Sequence, residues 1–87
     1  MPPTTELKGL ADKMQQRLGD IPYTENQDYN FALLMRSVLQ DELDIAENQM
    51  MHGADATLRS VAKEVASSRK KEIEKLDRWI EKFQKFN

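Results

Sequence analysis

The chain has 87 residues, with 32% charged and 39% hydrophobic residues and a formal net charge of −2 at pH 7. This length allows one domain, and the composition is typical of a folded, helix-rich domain rather than a disordered tail. No apolar run reaches the ~18 residues of a membrane span, the net negative charge gives no basic footprint for nucleic acid, and the absence of cysteine excludes disulfides and thiolate metal sites.

The first ten residues, MPPTTELKGL, lack the basic segment and apolar stretch of a signal peptide. For the sequence as written we therefore expect a cytoplasmic protein. A leader peptide preceding Met1 would instead indicate a periplasmic or secreted one.

Apolar residues predict a first helix over residues 5–18. Leu7, Leu10, Ala11, Met14 and Leu18 follow helical spacing and form a single stripe. A helix this short is marginal alone, so it must dock on the rest of the chain. We expect it to cover the N-terminal half of the second helix and the C-terminal half of the third, including Trp79 and Phe83, with Phe86 fraying at the terminus.

A second helix is predicted over residues 25–52. Thr24 followed by Gln27 is typical of a capping box at its start. Its apolar stripe consists of Ala32, Met35, Leu39, Leu43, Ala46 and Met50, widened on one side by Phe31, Leu34, Val38 and Ile45. Glu42 falls inside this apolar arc at 100° per residue.

A third helix is predicted over residues 56–85. Gly53 as C-cap and Asp55 as N-cap indicate a tight hairpin between the second and third helices. The third stripe comprises Leu58, Val61, Ala62, Val65, Ile73, Leu76, Ile80 and Phe83. Arg69 and Glu72 interrupt it with charge.

The turn end of this hairpin is a predicted interaction surface. It would be left partly uncovered by the short first helix, which predicts a homodimer interface formed by Leu43, Met50, Leu58 and Val65. If the first helix instead lies nearer the middle of the hairpin, the chain is expected to be stable as a monomer.

Positions 42 and 69 lie at similar heights in an antiparallel hairpin that turns near residue 54. Because a lone charge in an apolar arc is costly, we expect a core ion pair between Glu42 and Arg69, with Glu72 as competing partner. The alternative is that both side chains extend to the rim and are solvated.

An ordered set of residues across 28–80 resembles domain-of-unknown-function family 305, whose members are ferritin-like helical bundles. The matching residues are Asp28, Phe31, Met35, Ala46, Gly53, Asp55, Leu58, Ala62, Glu72, Ile73, Trp79 and Ile80. The resemblance implies a helical hairpin whose histidine and methionine side chains bind metal, copper in some members.

Departures from that family pattern fall on its metal ligands. The two adjacent histidines are replaced by Val38 and Leu39, and two methionines by Ile45 and Leu76. Aliphatic side chains carry no donor atom, so this chain retains only Met35 of the set implied by the resemblance.

Other metal sites are weakly indicated. Met50, Met51 and His52 could form a weak copper site, although their alternative roles in the core, at the rim and at the helix C-terminus are favoured. A di-iron site needs Glu-x-x-His, and neither Glu47 nor Glu72 is followed by histidine at that spacing. The acidic group of Asp41, Glu42, Asp44 and Glu47 is expected to be a solvated surface.

The sequence therefore predicts an all-α, three-helix bundle built on a long antiparallel hairpin, ferritin-like and dimerising. No phosphate loop or nucleophile arrangement is present, so we expect a non-enzymatic structural or interaction protein without a cofactor. We expect it to bind a second copy or another protein, but not to bind nucleic acid or to span a membrane. The alternatives are a weak copper-handling protein using Met35, Met50, Met51 and His52, and a carboxylate-dependent enzyme built around Glu42 and Glu72.

Overall fold

The computed structural model describes residues 3–86, and the side chains of residues 7–86. This part of the chain contains three helices and no strand: α1, Pro3–Gly19; α2, Gln27–His52; and α3, Ala56–Phe86. Each predicted helix boundary agrees within two residues, so the all-α, three-helix prediction is confirmed. None of these helices is long and apolar enough to cross a membrane.

Asn26 caps the start of α2, and the prediction that Thr24 does so is wrong. The Asn26 side-chain oxygen accepts a hydrogen bond from the backbone N–H of Tyr29 at 2.9 Å. Thr24 lies two residues too early and fastens the preceding loop instead. Its hydroxyl oxygen accepts the N–H of Asn26 at 3.1 Å, and its backbone N–H and C=O both bond to the Asn30 side chain at 2.7 Å.

Replacing Asn26 by alanine should lower the free energy of unfolding by about 1 kcal/mol, because the first turn of α2 loses the acceptor of one backbone N–H. Chemical denaturation followed by circular dichroism measures the loss. Gln27→Ala is the matched control, since the observed cap does not use that side chain. Equal losses in the two variants would show that Asn26 does not act as the cap.

A tight turn joins α2 to α3, as predicted. The N–H of Gly53 donates to the carbonyl of Gln49 at 2.8 Å, and Asp55 accepts the N–H of Leu58 at 2.9 Å. The backbone of Gly53 is extended, with φ −74° and ψ 146°. A Cβ atom there would lie 2.6 Å from the Gln49 carbonyl oxygen, so the close approach itself requires glycine.

The core lies between α2 and α3. Its buried residues are Leu39, Leu43, Ala46, Ala62, Ala66 and Ile73, with Met35, Met50, Val65 and Leu76 packed at the edge. Alanines on both helices allow the two backbones to approach closely. Leu43 is 7% exposed and belongs to this core, so the prediction that it lines a dimer interface is wrong.

Helix α1 packs on α2 and makes no close backbone contact with α3 within the described residues. It lies along the C-terminal half of α2, where Arg17 meets Asp41 and Leu10 lies near Asn48. The predicted placement over the other end of the hairpin is therefore wrong. The three helices form a flat layer in the order α1, α2, α3, with extents of 46 × 24 × 16 Å.

The aromatic residues of α3 pack on the start of α2 rather than on α1. Phe83 stacks on Tyr29 with ring centroids 4.6 Å apart, and Trp79 stacks on Phe83 at 5.3 Å. The prediction that α1 covers Trp79 and Phe83 is wrong, because α1 lies at the opposite end of the hairpin. Phe86 is 74% exposed, in keeping with its expected position at a fraying end.

Candidate interaction surface

One broad face of the α2–α3 hairpin is closed by polar pairs. Arg36 Nε lies 3.0 Å from Asp77 Oδ1, and Gln84 donates to the Tyr29 hydroxyl at 3.1 Å. Lys70 Nζ approaches Glu47 at 3.9 Å on the same side of the hairpin. These polar and charged groups are partnered across the two helices, so this face presents a hydrated surface with charges of both signs.

The opposite broad face carries exposed apolar side chains, and we call it the apolar face. Of the eight large hydrophobic side chains exposed within residues 7–86, five belong to it: Leu7, Phe31, Leu58, Val61 and Trp79. Trp79 follows Val61 by eighteen residues, about five helical turns, so both project from the same side of α3. Scattered exposed apolar residues are ordinary, but a shared face indicates an interaction surface.

Near the turn, the apolar face contains an open groove of about 360 Å³. Leu7, Ile45, Leu58, Val61 and Val65 contribute most of its apolar wall. Of the predicted interface residues, Leu58 and Val65 line this groove.

The fourth predicted interface residue, Met50, does not line the groove. It packs against the core and faces a separate surface beside Arg59 and Lys63. Two of the four residues predicted to form a homodimer interface therefore line the groove. Val61, which is 50% exposed, also lines it and was not among the four.

A charged cluster lies at the middle of the apolar face. Arg69 contacts Glu42 Oε2 through Nε and Nη2, both at 3.1 Å, and Glu72 Oε1 through Nη1 at 3.2 Å. The hydrogen bond that Arg69 donates to Glu42 raises the pKa of Arg69 above its usual value, and the negative charge of Glu42 adds to this rise. The predicted contacts of Arg69 with Glu42 and Glu72 are therefore present. The three side chains are 28–44% exposed, however, so the pairing forms at the surface, and the prediction that it lies inside the core is wrong.

Within residues 7–86, an ion pair with a buried carboxylate lies elsewhere, between Asp41 and Arg17. Asp41 is 2% exposed, and its Oδ1 lies 2.5 Å from Arg17 Nη2, without hydrogen-bond geometry. Arg17 also lies 3.6 Å from Asp44. Burial raises the pKa of Asp41, and the charge of Arg17 opposes this rise.

The expectation that Asp41 is solvated is wrong, because the face of α2 that carries it is packed against α1. Helix α1 covers this carboxylate instead. The signal available in the sequence for this contact was Arg17, which lies at the C-terminal end of the otherwise apolar stripe of α1.

The proposed metal-binding side chains do not converge. Met35 precedes Met50 by fifteen residues, which separates them by about 22 Å along α2. Met51 is 76% exposed, whereas Met50 packs against the core. Within the described residues, no group of three His, Cys, Asp or Glu side chains is placed to hold a metal ion.

We expect a titration with Cu(I), read by competition with a chelator, to give no binding tighter than about 1 μM. The physical reason is that Met50, Met51 and His52 are consecutive residues, whose side chains diverge by about 100° around the helix. His52→Ala is the control. Stoichiometric binding below that limit, abolished by this substitution, would establish a copper site at the end of α2.

Comparison with protein-family models, curated proteins and solved structures finds no match for this chain. The resemblance to family 305 therefore depends on the residues quoted above. The class defined by the structure is a layer of three helices with one polar and one apolar face.

Proposed function

We propose that this chain is a non-enzymatic interaction module that self-associates through its apolar face. The observation that supports the proposal is the asymmetry of the layer. Leu58 and Val61 are half exposed on one face, whereas the opposite face is closed by paired charges. A surface of this kind lowers its free energy by burying the apolar side chains against a partner.

The dimensions of the layer are compatible with a homodimer. Its broad face measures about 46 × 24 Å, which exceeds the ~800 Å² that each partner contributes to a standard interface. Two hairpins stacked through this face form a four-helix arrangement. We propose that this dimer is the ferritin-like unit, and that the chain is a relative of family 305 in which aliphatic residues replace the metal ligands.

The charged cluster bears on the carboxylate-enzyme alternative. Glu42 and Glu72 would have to offer their oxygens to a metal ion or substrate, but both already contact the guanidinium of Arg69. A catalytic role would require displacement of that cation. The copper alternative likewise lacks a converging set of donors, since Met35 lies far from His52 along α2. Self-association needs neither rearrangement.

The test replaces an apolar residue by lysine on and off the proposed surface. Val61→Lys places a charge within the groove and should weaken self-association at least ~100-fold, because docking would bury an unpaired ammonium group. Met51→Lys is the matched control, since Met51 is more exposed and does not line the groove. Sedimentation velocity over a concentration series measures the dissociation constant of each.

Helicity of both variants is checked first by circular dichroism, so that unfolding is not mistaken for dissociation. Loss of the dimer in Val61→Lys alone supports the apolar face as the interface. Equal dissociation constants in wild type and Val61→Lys would contradict it.

A further inference from the structure

The charged cluster and the apolar residues are arranged symmetrically along the hairpin. Phe31 precedes Glu42 by eleven residues on α2, and Leu58 precedes Arg69 by eleven residues on α3. Because the helices run in opposite directions, these two side chains lie about 16 Å from the cluster on opposite sides of it. Trp79 lies about 15 Å from the cluster, level with Phe31. The apolar face therefore has an ionic centre and two apolar ends.

Two copies can stack through this face with their helices aligned in two ways. A two-fold axis parallel to the helices places α2 over the partner subunit's α3, with both turns at the same end. An axis across the helices places α2 over the partner subunit's α2, with the turns at opposite ends. Neighbouring helices are antiparallel in both cases, so helix packing does not distinguish them.

The charges do distinguish the two arrangements. With the axis across the helices, Glu42 faces the partner's Glu42 and Arg69 faces the partner's Arg69, so like charges meet where water is excluded. With the axis parallel to the helices, Glu42 faces the partner's Arg69. Charge complementarity of this kind fixes orientation and disfavours the alternative.

We infer that a second copy of this chain docks with its two-fold axis parallel to the helices, so that Arg69 bridges Glu42 of its own chain and Glu42 of the partner subunit. This inference rests on the proposed self-association and adds its geometry. In the resulting four-helix bundle, Phe31 packs against the partner's Trp79 at one end. At the other end, the groove around Val61 covers the same groove of the partner.

The geometry is tested with a single nitroxide label. The chain has no cysteine, so Ala54→Cys in the exposed turn provides one unique attachment site. In the inferred dimer the two turns are adjacent, and pulsed dipolar spectroscopy should give a label separation below about 30 Å. The other orientation separates the turns by roughly 36 Å or more, twice the rise of the twelve residues between Glu42 and Ala54.

The possible results distinguish the orientation of the dimer from self-association itself. A short distance that disappears in the labelled Val61→Lys variant supports the inferred geometry. A separation of about 36 Å or more, in a sample with the mass of a dimer, overturns the orientation and leaves self-association intact. A sample with the mass of a monomer and no dipolar coupling overturns both, and leaves the apolar face to a different protein.

A charge exchange tests the central contact independently. Glu42→Arg and Arg69→Glu should each weaken self-association about tenfold or more, because each creates like charges within and between chains. Mixing the two variants should restore a heterodimer. Neither mixed chain keeps the internal pair between positions 42 and 69, since one carries arginine at both positions and the other carries glutamate at both. Restoration therefore reports contacts between chains, and its absence would overturn the bridging role of Arg69.

Discussion

Replacing Leu39 by alanine should lower the free energy of unfolding by about 2–5 kcal/mol. Leu39 is 4% exposed and contributes to the only large buried cluster within residues 7–86, between α2 and α3. Truncation removes apolar contacts and leaves a cavity that two long, straight helices close only partially. For a domain of this size the loss is a large share of the total stability.

Urea denaturation followed by circular dichroism measures this loss. Met51→Ala, at a position that is 76% exposed, is the matched control and should change the unfolding free energy by less than about 0.5 kcal/mol. Both variants are compared at the same protein concentration, because any self-association adds to the apparent stability. A loss below about 1 kcal/mol for Leu39→Ala would contradict the position of the core.

Removing the cation of the buried ion pair should undock α1. In Arg17→Gln, Asp41 is left buried without its counter-ion, and we expect a cost of about 3 kcal/mol at pH 7, at the lower end for buried pairs because Arg17 is itself partly exposed. Helix α1 would then leave α2 and lose helicity, since it makes no close backbone contact with α3.

The effect of Arg17→Gln should depend on pH in a defined direction. The pKa of Asp41 in the folded state is already above its ordinary value of 3.8. Folding is therefore favoured by Asp41 below that pH, and this contribution is lost as the pH rises through the raised value. Without Arg17 the pKa rises further, so the difference between variant and wild type should be small near pH 4 and largest near neutral pH.

A double substitution isolates the electrostatic cause. Arg17→Gln combined with Asp41→Asn removes both charges and should recover most of the stability lost in the single variant. Thermal unfolding at several pH values measures all three proteins. A single variant with the same deficit at pH 4 and pH 7, or no recovery in the double variant, would show that the ion pair does not hold α1 in place.

The helices were predictable because their signals are local. Gly53 and Asp55 marked the turn, and the apolar spacing on both sides defined two long helices, so the hairpin followed from neighbouring residues alone. The hairpin in turn places Glu42 and Arg69 at the same height along the two helices. The exposure of these two side chains was not predictable, because the angle at which two helices cross decides whether a residue at the edge of an apolar arc lies inside or at the rim.

The docking of α1 was not predictable from its own stripe. An amphipathic helix shows which face is buried, but not where along a long hairpin it lies. At the observed position of α1, Arg17 contacts Asp41. These two residues are 24 apart in the sequence, so no local pattern predicts the contact. With α1 in that position, Phe83 packs on Tyr29 and Trp79 packs on Phe83 instead, and the apolar face extends along the full hairpin.

Binding of a second copy of this chain through the apolar face makes the mass in solution depend on protein concentration. Sedimentation equilibrium of the unmodified protein, over about 5–500 μM, tests it most directly. We expect a mass that rises with concentration from the 10.1 kDa of one chain to about twice that value. A mass that stays at 10.1 kDa across the whole range would contradict it.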